Sequence, residues 1–117
     1  STVTISPSNA ATAGIVPVRS AAAGSSLVLK ASRTNLYGLN VTTGAAAGYV
    51  MLFNATSAPA DGAVTPAKCY QVAANSTINL DWDVPLHFPT GLTAVFSSTG
   101  CFSKTASATA FISGETR

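Results

Sequence analysis

Apolar and polar residues alternate along most of the chain after residue 25. In SLVLKAS (26–32), Leu27 and Leu29 share one face while Val28 and Lys30 share the other. A period of two is the side-chain repeat of a β-strand. The same period continues in LYGLNVT (36–42), KCYQVA (68–73), STINLDW (76–82), GLTAVFSS (91–98) and SATAFISG (107–114). The pattern predicts an all-β chain without helices.

Two of the runs carry more information than a simple alternation. GYVMLFN (48–54) is apolar on both faces, which predicts a central strand that is covered on each side. In STINLDW, the apolar residues Ile78, Leu80 and Trp82 are predicted to face the core together. Tyr37 is placed by the same alternation on the face of Leu39 and Val41.

Turn-forming segments separate the predicted strands. They are TTGAAAG (42–48), SAPADGAVTP (57–66), AANS (73–76), DVPLHFPTG (83–91) and STG (98–100). Seven or eight short strands spaced by about a dozen residues predict a single antiparallel β-sandwich. Jelly-roll-like and immunoglobulin-like topologies both fit this pattern, since a jelly roll needs about eight strands in two sheets.

The first part of the chain differs in composition from the rest. Residues 1–25 are rich in Ser, Ala, Thr and Gly and are predicted to form an extended arm, while residues 26–117 form the β-sandwich domain. Val3 and Ile5 alternate with polar residues, as in a short edge strand. A loose terminus is the alternative. Three apolar residues favour ordering of the arm against a neighbouring subunit: Ile15, Val16 and Val18.

The charged fraction is the strongest compositional anomaly. Of the 117 residues, 47% are hydrophobic and only 9% are charged, where about 25% is usual. A neutral surface has little electrostatic repulsion to oppose association, so we expect other subunits to cover it. Residues 35–54 contain no charge at all. Their loop is the predicted contact with another chain: Thr43, Gly44, Ala45, Ala46 and Ala47.

Several classes of function are disfavoured. The six basic residues are scattered, so the net charge of +2 does not indicate nucleic-acid binding. No apolar run approaches the ~18 residues of a membrane span. Residues 1–24 lack the basic start and apolar block of a signal peptide.

Catalytic and metal-binding residues are not expected either. His87 stands between two prolines, and no local signature pairs it with a Cys or Ser nucleophile. Asp81 and Asp83 share a strand face near His87, but the longer ligand series of a cation loop is missing. We therefore expect no enzyme, no metal and no cofactor. A solvent-exposed Trp82 could instead stack on a sugar ring.

The two cysteines leave three arrangements open. Cys69 and Cys101 are too few and too far apart in sequence to build a zinc site by themselves. They can be buried thiols, a disulfide within the chain, or a cross-link between subunits. An internal disulfide would stabilise the fold by roughly 3–4 kcal/mol in the chain-entropy model.

Four sequence elements, taken together and in order, carry a family resemblance. They are an LY-x-x-x-V strand at 36–41, a GY-V-x-L-F strand at 48–53, an APADGAVTP loop at 58–66 and an F-x-TGL-x-x-x-FS strand at 88–97. With them the chain after residue 26 resembles small virion structural proteins of tailed bacteriophages.

The resemblance implies a β-sandwich subunit without catalysis on the exterior of the phage particle. The favoured role is capsid decoration, in which homotrimers bind the major capsid protein on the outer head lattice and stabilise it. The alternative is a carbohydrate-binding or host-attachment module on a tail fibre or neck, with Trp82 as the stacking residue. Neither role involves nucleic acid or a membrane.

Overall fold

The computed structural model describes residues 16–20 and 24–117, and this part of the chain contains β-strands and no helix. The strands are β1 (Val16–Arg19), β2 (Ser26–Lys30), β3 (Thr34–Thr43), β4 (Gly48–Phe53), β5 (Gly62–Ala63), β6 (Lys68–Val72), β7 (Thr77–Phe88), β8 (Leu92–Ser97), β9 (Ser103–Lys104) and β10 (Ala110–Thr116).

Eight of these strands form two four-stranded antiparallel sheets. The first sheet has the order β1-β10-β3-β7, and the second has the order β2-β8-β4-β6. Without the two-residue strands β5 and β9, the first strand in the chain pairs with the last, the second with the seventh, the third with the sixth and the fourth with the fifth. This nested pairing is the jelly-roll topology, so the predicted β-sandwich is confirmed and the immunoglobulin-like alternative is wrong.

The main core lies between the two sheets. The first sheet contributes Leu36, Leu39, Val41 and Ile112, and the second sheet contributes Phe96 and other inward side chains of β4 and β8. All five are completely buried. Apart from β3, which is described below, these inward side chains agree with the predicted alternation.

A second, smaller core lies on the outer face of the second sheet. Met51 and Phe53 of β4 and Val95 of β8 point away from the main core and are buried nonetheless. Ala55 and Val64, from the segment between β4 and β6, pack against them. Because β4 is covered on both sides, the prediction made from its continuous apolar sequence is confirmed.

One strand departs from the predicted alternation. Leu36, Leu39 and Val41 of β3 all face the core, although Leu36 was predicted on the opposite face from the other two. The register shifts at Tyr37 against both neighbouring strands, which is a β-bulge. Because the bulge adds one residue, the alternation inverts between Leu36 and Leu39.

β7 is longer than the sequence predicted. It continues from Thr77 to Phe88, so most of DVPLHFPTG, predicted as a turn, is strand. Between the pairs Gly38↔Asp81 and Leu36↔Leu86, β3 advances two residues while β7 advances five. The three additional residues of β7 form a large, irregular bulge that includes Val84, which is 81% exposed. Pro85 is tolerated because β7 is an edge strand.

β1 lies within the segment that the sequence predicted as an extended arm. Its four residues pair antiparallel with the end of β10, from Val16↔Thr116 to Arg19↔Ser113. Ser20 continues the attachment through its backbone and hydroxyl bonds to Ile112. At least this part of the predicted arm therefore belongs to the sandwich.

Replacing Gly48 by alanine is expected to lower the free energy of unfolding by about 1–3 kcal/mol, as overpacking of a core does. A Cβ at this position would lie 2.5 Å from the carbonyl oxygen of Ser97 and 2.6 Å from Cζ of Phe96. The carbonyl is backbone of the paired strand and cannot move aside. Gly44→Ala is the matched control, since its Cβ would meet only Thr109 O at 3.6 Å. Urea unfolding of both variants checks the prediction, and equal midpoints would contradict it.

Candidate assembly surfaces

The two cysteines form a disulfide within the chain. Cys69 at the start of β6 is bonded to Cys101 in the segment after β8, with 5.8 Å between their Cα atoms. This excludes the buried-thiol and intersubunit alternatives for both residues. The bond fixes residues 98–109 against the second sheet, beside the second core that includes Cys69.

An ion pair and a two-stranded ribbon hold the same region together. β5 and β9 pair with each other, and Lys104 Nζ lies 2.8 Å from Asp61 Oδ1. The ammonium group of Lys104 and the backbone N–H of Ala106 donate to the Asp61 carboxylate, and both hold its pKa below the usual value. Residues 54–67 and 98–109 thus form one connected cover, which we call the lid of the second sheet.

Asp61→Asn is expected to lower the unfolding temperature at neutral pH, because the buried side chain of Lys104 loses its counter-charge. The pKa of Asp61 is lowered in the folded protein, so its carboxylate contributes stability above its usual pKa near 3.8. That contribution is lost as the pH falls through the lowered value. The difference in unfolding temperature between wild type and variant should therefore shrink in acid.

The matched control is Asp83→Asn, which changes an exposed carboxylate that is outside the ion pair. Thermal unfolding of the three proteins at pH 7 and at the lowest pH at which all three remain folded checks the prediction, because Asp61 is protonated to the greatest extent there. A constant difference between wild type and Asp61→Asn at both pH values would contradict the role of the ion pair.

The loop predicted to contact another chain begins with two residues that are used inside the fold. Thr43 is buried, and its hydroxyl donates to Ala73 O at 2.6 Å and accepts from Ser76 N at 3.1 Å. The carbonyl of Gly44 accepts from Asn75 N at 2.6 Å. These bonds fasten the β3–β4 loop to the β6–β7 turn, so Thr43 and Gly44 have intramolecular roles.

The three alanines of this loop are placed differently. Ala45 and Ala47 are exposed, and Ala46 is half-buried. They keep the surface position that a contact with another chain requires, and the prediction stands for these three residues.

Three apolar residues were predicted to order the arm against a neighbouring subunit, and two of them lie in the described part of the chain. Val18 is partly buried against the main core, which gives it a packing role inside the sandwich. Val16 is part of β1 by its backbone pairing with Thr116. Ile15 lies outside the described residues.

Trp82 is also engaged by the fold. Its side chain is partly buried and packs against the main core, as Ile78 and Leu80 do. A sugar could reach only the exposed minority of its surface. The arrangement gives Trp82 the same packing role that the alternation of STINLDW predicted.

The other residues considered for chemistry do not converge. His87 Nδ1 lies 2.8 Å from Asn35 Oδ1 across the β3–β7 pair. The carboxylates of Asp81 and Glu115 lie over Gly38, in space that a side chain at that position would fill. Within residues 16–20 and 24–117, no group of three or more His, Cys, Asp or Glu side chains forms a metal-binding arrangement. The same residues enclose no pocket and include no helix long and apolar enough to cross a membrane.

The outer face of the first sheet is a candidate contact surface that the alternation of apolar and polar residues did not identify. The lid covers the second sheet, but no described segment covers the outer face of the first. It carries a cross-strand ladder of small polar groups, in which Thr42 Oγ1 lies 3.0 Å from Thr77 Oγ1 and Asn40 Nδ2 donates to Asn79 Oδ1. Phe111, 39% exposed, stands beside Thr42 on the same face.

The few charges of the protein are mostly unpaired within the chain. All ten charged residues lie in the described part, and Asp61–Lys104 is the single ion pair that they form there. Ion pairing within the described chain therefore involves only two of the ten charged residues. Within the described residues, the outer face of the first sheet and most of the charged groups are therefore without an intramolecular partner.

Comparisons with models of protein families, with characterised proteins and with solved structures find no match to this chain.

Proposed function

We propose that the protein is a non-enzymatic structural subunit of a tailed-phage virion, which binds the outer head lattice as an oligomer and stabilises it. The resemblance of residues 36–97 to small phage virion proteins supports this role. A jelly roll is also an architecture used by viral capsid proteins, although a fold by itself does not determine a function.

The observation that carries the proposal is the outer face of the first sheet, which no described segment covers. Its strands present Thr and Asn side chains that are bonded across the β3–β7 pair, namely Thr42 with Thr77 and Asn40 with Asn79. These neutral pairs lose little side-chain entropy and no charge hydration when another surface covers them. The carboxylates of Asp81 and Glu115 over Gly38 are the charged groups of the same face, and a covering surface would have to match them. Each contact of this kind is weak, but a lattice with many copies multiplies weak contacts through effective concentration.

The test is binding of the purified chain to heads that lack it. We expect it to form a stable oligomer in light scattering, most simply a trimer, and to sediment with undecorated heads. Decorated heads should then resist heat or dilution better than bare heads. A chain that stays monomeric at high concentration and leaves bare heads unbound would overturn the proposal.

A matched pair of variants tests which surface binds. Thr42→Arg places a long charged side chain on the outer face of the first sheet, whereas Thr65→Arg makes the same change at an exposed position of the lid. We expect Thr42→Arg to weaken head binding at least tenfold and Thr65→Arg to leave it unchanged. Equal binding by both variants would exclude the first-sheet face as the contact surface.

A further inference from the structure

The four edges of the two sheets are not equally protected against pairing with another strand. Natural edge strands usually carry a Lys, Arg, Pro or bulge that discourages such pairing. In this protein β1 has Pro17 and Arg19, β2 has Lys30, and β6 has Lys68. β7 has Asp81, followed by its bulge and Pro85, but residues 77–80 carry no charge, proline or bulge.

The first half of β7 is a regular strand segment with one free side. Residues 77–81 pair with β3 on one side, and within the described residues no strand lies on the other. Thr77 and Asn79 are exposed on the outer face. Ile78 and Leu80 point inward but are only partly buried, unlike the completely buried Leu39 and Val41 of β3. An additional strand would cover what remains exposed of this apolar pair.

Residues 2–6 have the sequence that this edge would accept. They read TVTIS, with Val3 and Ile5 alternating with hydroxyl residues, and they belong to the part of the chain outside the described structure. We propose that residues 2–6 of one copy add as an antiparallel strand to the β7 edge, residues 77–81, of a neighbouring copy. This is strand addition, in which main-chain hydrogen bonds provide affinity and alternate side chains provide specificity.

The side-chain pattern selects one register. With Thr4 opposite Asn79, Val3 faces Leu80 and Ile5 faces Ile78, so apolar residues meet on the inner side. A slip of one residue would turn Val3 and Ile5 to the outer face. In the selected register Pro7 follows the last pair and ends the added strand, because it has no N–H to donate. The β7 bulge ends the pairing at the other side.

The chain between the two elements is long enough to reach a neighbour. Nine residues, 7–15, separate the proposed strand from Val16, and at about 3.3 Å per residue they span up to about 30 Å. β1 and β7 lie at opposite edges of the first sheet. Each copy can therefore donate residues 2–6 to one neighbour and accept the same segment of another neighbour at its β7 edge. Such head-to-tail contacts form a ring where the rotation between copies closes and an open filament where it does not. The choice of a neighbouring copy rests on the proposed assembly of the protein.

Pairwise disulfide trapping tests the register and the neighbour. Thr4→Cys and Asn79→Cys chains are mixed in equal amounts, oxidised mildly and analysed by non-reducing electrophoresis and mass spectrometry. We expect a heterodimer that contains one chain of each variant. Thr42→Cys is the control receiver, since it is exposed on the same face but one strand further from the edge.

An equal heterodimer yield with Thr42→Cys would overturn the proposal. A link that forms only inside a single chain carrying both Thr4→Cys and Asn79→Cys would overturn the neighbouring-copy assignment.

Charge placement gives an independent test. Val3→Asp with Ile5→Asp puts two carboxylates on the inner side of the added strand, and Thr4→Asp with Ser6→Asp puts the same two on the outer side. We expect the first variant to weaken self-association at least tenfold and the second to retain it, as measured by sedimentation velocity. Equal loss or equal retention would overturn the strand-addition model.

Head binding, measured in parallel, separates this inference from the proposed function. If the wild-type chain binds heads and self-associates but both Asp variants do so equally, the strand addition is wrong and the structural role stands. If the wild-type chain neither self-associates nor binds heads, the proposed function fails, and the strand addition between copies fails with it.

Discussion

Phe96→Ala is expected to lower the free energy of unfolding by about 3–5 kcal/mol, the range for removal of a buried aromatic side chain. Phe96 lies in β8, an inner strand of the second sheet, and none of its surface is exposed. Its ring fills the space left by the missing side chain of Gly48 on the neighbouring strand. Truncation would open a cavity that the paired backbones on both sides of β8 prevent from closing.

Equilibrium urea unfolding measures this effect, and Phe102→Ala is the matched control. Phe102 is 73% exposed, so the same chemical change should shift the free energy by no more than about 0.5 kcal/mol. Similar small shifts for both variants would contradict the placement of Phe96 in the main core.

Much of the strand register follows from the sequence because burial depends on position along a strand. In β2, Leu29 is buried and Val28 is exposed, as the alternation predicted. In β7 the alternation correctly predicted that Ile78 and Leu80 face the core. It did not predict that they are only partly buried, because that depends on their place at the sheet edge, which is set by distant pairings.

Two of the segments that the sequence did not predict as strand each contain a proline. Pro17 lies in β1 and Pro85 in β7, in segments interpreted as an arm and as a turn. A proline argues against a central strand, because it cannot donate to the ladder. Both strands are edges of the first sheet, where one side of the backbone has no partner in the described chain. Edge position is a property of the completed topology and has no local sequence signal.

The candidate assembly surfaces were predictable only in part. The scarcity of charge could be seen in the composition, and the exposed Ala45 and Ala47 agree with the surface position predicted for their loop. That no described segment covers the outer face of the first sheet could not be predicted, because this depends on which sheet the segments 54–67 and 98–109 cover. The intramolecular role of Thr43 could not be predicted for a related reason, since its partners Ala73 and Ser76 are about thirty residues away.

Replacing Cys69 and Cys101 together by alanine is expected to lower the free energy of unfolding by roughly 3–4 kcal/mol. The disulfide closes a loop with a sequence separation of 32, and in the chain-entropy model a loop of this length restricts the unfolded chain by about that amount. The folded state is affected as well, because the bond fastens the lid beside Met51 and Phe53. We therefore expect the lid to open before the rest of the sandwich unfolds.

Two readouts distinguish the global effect from the local one. Urea unfolding with and without dithiothreitol should show a loss of stability for the reduced wild type and no response for the double alanine variant, which has no thiol left. Hydrogen exchange should accelerate at the amide of Ser98, which bonds to Thr105 within the lid, more than at Leu39 in the main core. If reduction left both the stability and the exchange of Ser98 unchanged, the disulfide would not be what holds the lid, and the ion pair of Asp61 with Lys104 and the β5–β9 ribbon would have to suffice.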